Sequence, residues 1–165
     1  MKKLLNVIIL LSIFSIILAG CSSIYDNQQF SVDKKGRIYV GKFKNNTETF
    51  LAGERAASIT KTVLSIYGYD IINISENQSD DDKYEIEKIK SNAKNLNADI
   101  LVTGEINEWR YKTGIDGEPA VGLSLVFIDL KSNKIIFSAV GAKSGWGHES
   151  ITTLAQKLIR NLINK

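Results

Sequence analysis

The first twenty-one residues constrain this chain more than anything after them. Met1-Lys2-Lys3 is followed by an apolar run from Leu4 to Leu18 and then by Ala19-Gly20-Cys21. A basic start, an apolar stretch of about 15 residues and a small-residue cleavage site make an export signal. The run falls short of the roughly 20 apolar residues that span a bilayer comfortably. Cys21 sits directly after the small residues and is the single cysteine of the chain. A thiol in that position is an acceptor for a diacylglycerol, and cleavage before it leaves a lipidated N-terminus.

This pattern resembles a bacterial lipoprotein signal. It predicts a division into residues 1–20 as signal peptide, 21–36 as lipidated tether and 37–165 as a single globular α/β domain. The expected product is exported, held by acyl chains and displayed on a membrane surface.

Composition narrows the function classes. Of 21 basic residues, Lys2 and Lys3 belong to the signal, so the remainder nearly balances the 18 acidic residues. A near-neutral domain lacks the basic surplus of a nucleic-acid binder. With Cys21 acylated, no thiol is left for a disulfide, a metal or a nucleophile. One histidine, His148, excludes the N/S-rich ligand set of a zinc enzyme. No cofactor and no metal are expected.

Hydrophobic period supplies the architecture. Residues 21–36 (CSSIYDNQQFSVDKKG) are polar and aperiodic. Strands are predicted at Arg37–Phe43, Tyr69–Ile74, Ala98–Lys112, Ala120–Leu130 and Ile135–Lys143. Helices are predicted at Ala52–Tyr67, Tyr84–Leu96 and Glu149–Asn164, where apolar residues recur at helical spacing. Asn45-Asn46-Thr47 and Lys131–Lys134 read as turns, Gly68 as a helix stop and Gly114–Pro119 as a hairpin turn. The order β-α-β-α-β-β-β-α specifies an α/β (α+β) fold, a mixed sheet with helices packed on it.

Candidate chemistry is sparse. Ser144, His148 and Ser150 lie close in sequence, but no G-x-S-x-G elbow is present, and no catalytic residue is assigned. Glu105/Glu108 and Asp116/Glu118 are the carboxylate pairs a glycosidase would need. Strand alternation places Glu105 and Glu108 on opposite faces. Asp80-Asp81-Asp82 lacks the glycine and later glutamate of an EF-hand. Gly53-Glu54-Arg55 reads either as an anion-binding helix start or as a plain one with Glu54 complementing the dipole. Trp109 reads as a sheet-face packing residue. Trp146, in Ser144-Gly-Trp-Gly-His148, has no apolar neighbour in sequence. Either it folds back over the sheet end, or its indole meets a membrane interface or a partner.

Several blocks resemble the PelC family, outer-membrane lipoproteins of the Pel exopolysaccharide secretion machinery. They are Phe43–Thr47, Leu51–Ala57, Val102–Lys112 with its Glu-Trp-Arg-Tyr-Lys, Gly114–Leu123 with its Ile-Asp-Gly-Glu-Pro-Ala-Val-Gly, and Ser144-Gly-Trp146. The resemblance implies a fold similar to the periplasmic domain of the curli secretion lipoprotein. It implies a homo-oligomeric ring on the inner face of the outer membrane, guiding a cationic exopolysaccharide to an outer-membrane porin. It also implies a membrane contact at Trp146. Asp116, Glu118, Arg110, Glu105 and Glu108 are the candidates for polymer guiding or subunit contact. The alternative class is a lipoprotein activator of a periplasmic cell-wall synthase, which would be monomeric.

Overall fold

The structure is a computed structural model that describes residues 22–26, 30–73, 84–111, 117–146 and 148–164. The signal segment, Cys21, the acidic stretch with Asp80–Asp82, Ile74 and Asp116 lie outside the described residues. Among those described are seven strands and three helices. They are β1 (Ser22–Asp26), β2 (Arg37–Val40), β3 (Lys44–Asn45), α1 (Ala52–Ile66), β4 (Asp70–Ile71), α2 (Ile86–Asn95), β5 (Ile100–Tyr111), β6 (Pro119–Asp129), β7 (Lys134–Ser144) and α3 (Ile151–Ile163). The α/β architecture and the expected element order are both present.

One mixed sheet holds all the strands, in the order β1-β7-β6-β5-β2-β4. The antiparallel meander β5-β6-β7 forms its centre. Strand β2 pairs in parallel with both β4 and β5. After a break at Gly41–Phe43, β3 continues along β5 with Lys44 opposite Glu105.

One sheet face packs under α1 and α3. Val121, Leu123, Leu125 and Phe127 alternate onto it from β6 and are fully buried, with Leu154, Leu158 and Leu162 of α3 above them. Phe30, Phe127 and Phe137 meet edge-to-face, with centroids 4.9–5.6 Å apart. This geometry suits the ring quadrupoles. Among the described residues the opposite face is covered near the β2 end, where Ile89 and Ala93 of α2 pack against Tyr39, Leu101 and Ile128.

Local chemistry sets the helix ends. Gly68 has φ +82°. Its amide donates to Ser65 O and that of Tyr69 to Leu64 O, the paired bonds of a Schellman stop. At the start of α3, Ser150 Oγ accepts from Thr153 N at 3.1 Å, a side-chain N-cap. In the β6–β7 turn, Asp129 Oδ1 accepts from both Ser132 N and Ser132 Oγ. These bonds hold the Asp129 carboxyl below its ordinary value.

Some expectations are corrected. Residues 22–26, read as tether, form β1, with Ser22 opposite Lys143 and Asp26 opposite Ala139. Within the same segment Val32 is buried and Phe30 packs on the core. Ile66, expected on the buried face of α1, is 75% exposed, while Ala57, Thr60 and Leu64 are buried. Of the strand expected from Tyr69, the described part is two residues long.

Candidate functional site

Beyond α2, the second sheet face is covered by no described helix across β5, β6, β7 and β1. It carries small residues along β6 and β7, notably Gly122, Ser124 and Ala142. Tyr25 is 72% exposed on it, with Val140 opposite. An open groove of about 630 Å³ runs across this face, lined among others by Tyr25, Asn107, Glu108, Arg110 and Gly122.

The polar rim of this groove comes from β5, and a β-bulge creates it. The β5–β6 register steps from Ile106 opposite Leu123 to Glu108 opposite Gly122, leaving Asn107 as an extra residue. A bulge reverses the facing of every later residue in the strand. Ile106 and Trp109 therefore both enter the core. Glu105 and Glu108 share this second face, since their partners Ser124 and Gly122 are two residues apart on β6. The expectation that they face oppositely is overturned by Asn107. A Cβ built on Gly122 would lie 3.3 Å from Glu108 Cβ, so the missing side chain leaves room for the glutamate.

Each carboxylate already has a cation beside it. Arg110 Nε donates to Glu108 Oε1 at 3.1 Å. Lys44 Nζ stands 3.9 Å from Glu105 Oε1, with both side chains about half exposed. Asn46 Nδ2 donates to Glu105 Oε2 and to Asn107 Oδ1, tying the bulge to β3. Glu118 is half-buried immediately before β6.

The hydrolytic readings gain nothing from this arrangement. Ser150 Oγ is committed to its helix cap. His148 is exposed. Glu105 and Glu108 stand on an open face, each beside a cation, not in an enclosing cleft. Among the described residues no group of three His, Cys, Asp or Glu side chains could hold a metal, and no helix is long and apolar enough to cross a membrane. The start of α1 is a plain helix start. Its Glu54 pairs with Lys42 Nζ at 3.1 Å, and Gly53 lies against the Phe43 carbonyl.

One end of the sheet has a different character. The C-terminal ends of β5 and β7 and the start of β6 lie together there, with Tyr111 opposite Pro119 and Ala120 opposite Ser144. Trp146 follows directly and is 49% exposed. Gly145 N donates to Pro119 O, and Glu149 N to Trp146 O, so the loop is tied down while the indole faces out. Trp109 is buried as expected, with its indole N–H unpartnered.

Sequence reasoning missed two further exposed aromatics, Tyr111 at the end of β5 and Phe50 beside Thr49. Tyr111 is exposed, with its hydroxyl accepting from Ile151 N. Phe50 is also exposed and follows Thr49, whose hydroxyl donates to Trp109 O. An aromatic at the last residue of a strand or beside a helix start is the signal that was available.

This geometry has counterparts among known structures. Two dodecameric PelC structures from Paraburkholderia phytofirmans, one a single-residue variant, match with 28% identity. The variant covers 87% of this chain and 96% of its own, with a TM-score of 0.75. The other covers 87% and 95%, with a TM-score of 0.73. The chain is similar to PelC. Lipoprotein GNA1162 from Neisseria meningitidis, at 15% identity, 78% and 96% coverage and a TM-score of 0.58, shares the fold alone. No protein-family model and no curated protein matches the chain.

Proposed function

We propose that this chain is a lipid-anchored periplasmic subunit of an outer-membrane exopolysaccharide export apparatus of the Pel type. It is anchored through Cys21, assembled as a homo-oligomeric ring and acts without catalysis. The observation that carries this reading is the 28% identity to a dodecameric PelC across nearly the whole of both chains. A ring requires head-to-tail contacts between two different patches of each subunit.

In this reading carboxylates guide a cationic polymer to a porin through weak, exchangeable contacts. Exposed ion pairs are worth about 0–1 kcal/mol, so a polymer amine can displace a lysine at little cost. Glu105, itself more exposed than Glu108 and with its partner at 3.9 Å rather than 3.1 Å, exchanges more readily. Asp116 and Glu118 remain further candidates, and Arg110 sets the position of the Glu108 carboxylate.

The test is polymer export in cells that produce this protein, together with sedimentation of the acylated chain in detergent. A closed oligomer, and loss of both export and membrane fractionation on Cys21→Ser, are the expected results. A strictly monomeric lipoprotein would favour the activator reading instead.

A further inference from the structure

We infer that Phe50 and Tyr111 join Trp146 in a membrane-docking end of the domain, and that β1 holds the lipid anchor against that end. The inference rests on the lipoprotein reading above and extends it to residues and a geometry that reading does not contain.

The argument begins with strand directions. β5 and β7 run the same way and β6 runs against them, so Tyr111, Pro119 and Ser144 mark one end of the sheet. β1 runs against β7, and its first residue, Ser22, pairs with Lys143. Cys21 precedes Ser22 by one peptide bond, about 3.8 Å between Cα atoms. An acylated Cys21 therefore joins the sheet at the end where Trp146 lies. A sixteen-residue tether would leave the domain free to turn in any direction. A paired β1 leaves almost no slack.

The same end gathers exposed aromatics. The large aromatic side chains exposed among the described residues are Tyr25, Phe50, Tyr111 and Trp146. Tyr25 is the fourth of the five residues of β1, away from the anchor end and opposite Val140. The other three sit at the anchor end. From the start of β1 to the end of β5 is three strand spacings, about 15 Å at roughly 4.8 Å each. Phe50 lies just past β5, held through the Thr49 bond to Trp109 O. The anchor and three rings thus form one row across the sheet.

Among the described residues, all three rings are left exposed. Tyr and Trp favour the bilayer interface because their rings are apolar at one edge and polar at the other. The opposite end carries the exposed Lys34, Lys35, Lys131 and Lys134 and the exposed Ile66 at the end of α1. A helix of 15 residues at 1.5 Å per residue puts Ile66 about 21 Å from Ala52.

The test uses the mature acylated chain in vesicles of phosphatidylethanolamine and phosphatidylglycerol containing lipids brominated on their acyl chains. In a Trp146→Phe background, single tryptophans are introduced as Phe50→Trp, Tyr111→Trp and Ile66→Trp. Trp109, buried in the core, serves as the shared unquenched reference. The expected result is that the probes at 50 and 111 lose at least twice the fraction of fluorescence lost by the probe at 66. Equal quenching at all three positions overturns the inference. So does a probe at 50 or 111 shielded from aqueous acrylamide yet untouched by brominated lipid, because that outcome means a protein partner covers this end. Phe50→Trp replaces one exposed aromatic with another, so it keeps the test alive should Tyr111→Trp fold poorly. Mass spectrometry of the purified chain reads the diacylglycerol on Cys21 directly, so failure of the lipoprotein reading and failure of the docking geometry are separate results.

Discussion

Glu105 and Glu108 leave β5 on the same side of the sheet because Asn107 sits between them as an unpaired extra residue. Removing Asn107 would restore strict alternation and send either Ile106 or Trp109 out of the core. Losing a buried tryptophan from a core costs about 3–5 kcal/mol, and a reversed register displaces its neighbours as well. Deletion of Asn107 is therefore expected to unfold the domain or to lower its urea midpoint by at least that equivalent. Asn107→Ala keeps the residue count and loses only the Asn46 hydrogen bond, at about 1 kcal/mol or less. Equal midpoints for the two variants would refute the bulge as the device that places these carboxylates.

Gly53 provides a case where helix propensity and packing oppose each other. Alanine is better than glycine inside a helix by about 0.8–1 kcal/mol, so Gly53→Ala in α1 looks stabilising on propensity alone. In the structure a Cβ at Gly53 would run into the carbonyl oxygen of Phe43. That carbonyl is the backbone of Phe43, whose side chain is fully buried in the core, and it cannot step aside cheaply. The substitution is expected to destabilise by about 1–3 kcal/mol, read from chemical denaturation. An unchanged or raised midpoint would mean that α1 can slide away from Phe43.

Elements with a strong period were legible in the sequence, and features that depend on a partner strand were not. α3 was readable because Leu154, Leu158 and Leu162 repeat on one face, and all three are buried. β6 was readable because its core set alternates without interruption. β1 was not, since a five-residue polar segment carries no period and its strand character comes from pairing with β7. The bulge at Asn107 was hidden for the same reason, because alternation counted along one strand cannot reveal two residues set against one. In the site, the exposure expected of Trp146 follows from its glycine flanks. Tyr111 comes to the sheet end of Trp146 only once β5, β6 and β7 are laid side by side, and Phe50 joins that end through the Thr49 bond to Trp109 O.

Tyr69 gives the alkaline limb of stability a cause. Its ring is buried beside Phe30, and burial raises its phenol above the ordinary 10.0. The hydroxyl donates to Val32 O at 3.5 Å, a bond that needs the proton. A pKa raised in the folded state leaves stability undiminished below pH 10. Stability is then lost as pH rises through 10 and the unfolded chain ionises first. Unfolding midpoints measured from about pH 8 to 11.5 should fall above pH 10 in the native sequence and fall less steeply in Tyr69→Phe. Parallel curves for the two proteins would exclude Tyr69 as the source.

The two tryptophans make opposite predictions from the same substitution. Trp109 is 1% exposed, fills the core between β5 and the α1–α3 layer and is among the largest fully buried side chains. Trp109→Ala is expected to cost about 3–5 kcal/mol. At about 2–4 °C per kcal/mol for a domain of this size, that is a fall in Tm of about ten degrees. Trp146 is 49% exposed, and its loop is fixed by backbone bonds from Gly145 and Glu149 that a side-chain truncation leaves intact. Surface substitutions of that kind stay within about 0.5 kcal/mol, so Trp146→Ala should melt within about two degrees of the native protein. Its effect belongs to membrane association: the acylated Trp146→Ala chain should leave vesicles at lower detergent than the native chain while melting almost identically. A large fall in Tm for Trp146→Ala would place the indole in the packing of the sheet end and remove it from the membrane-docking row.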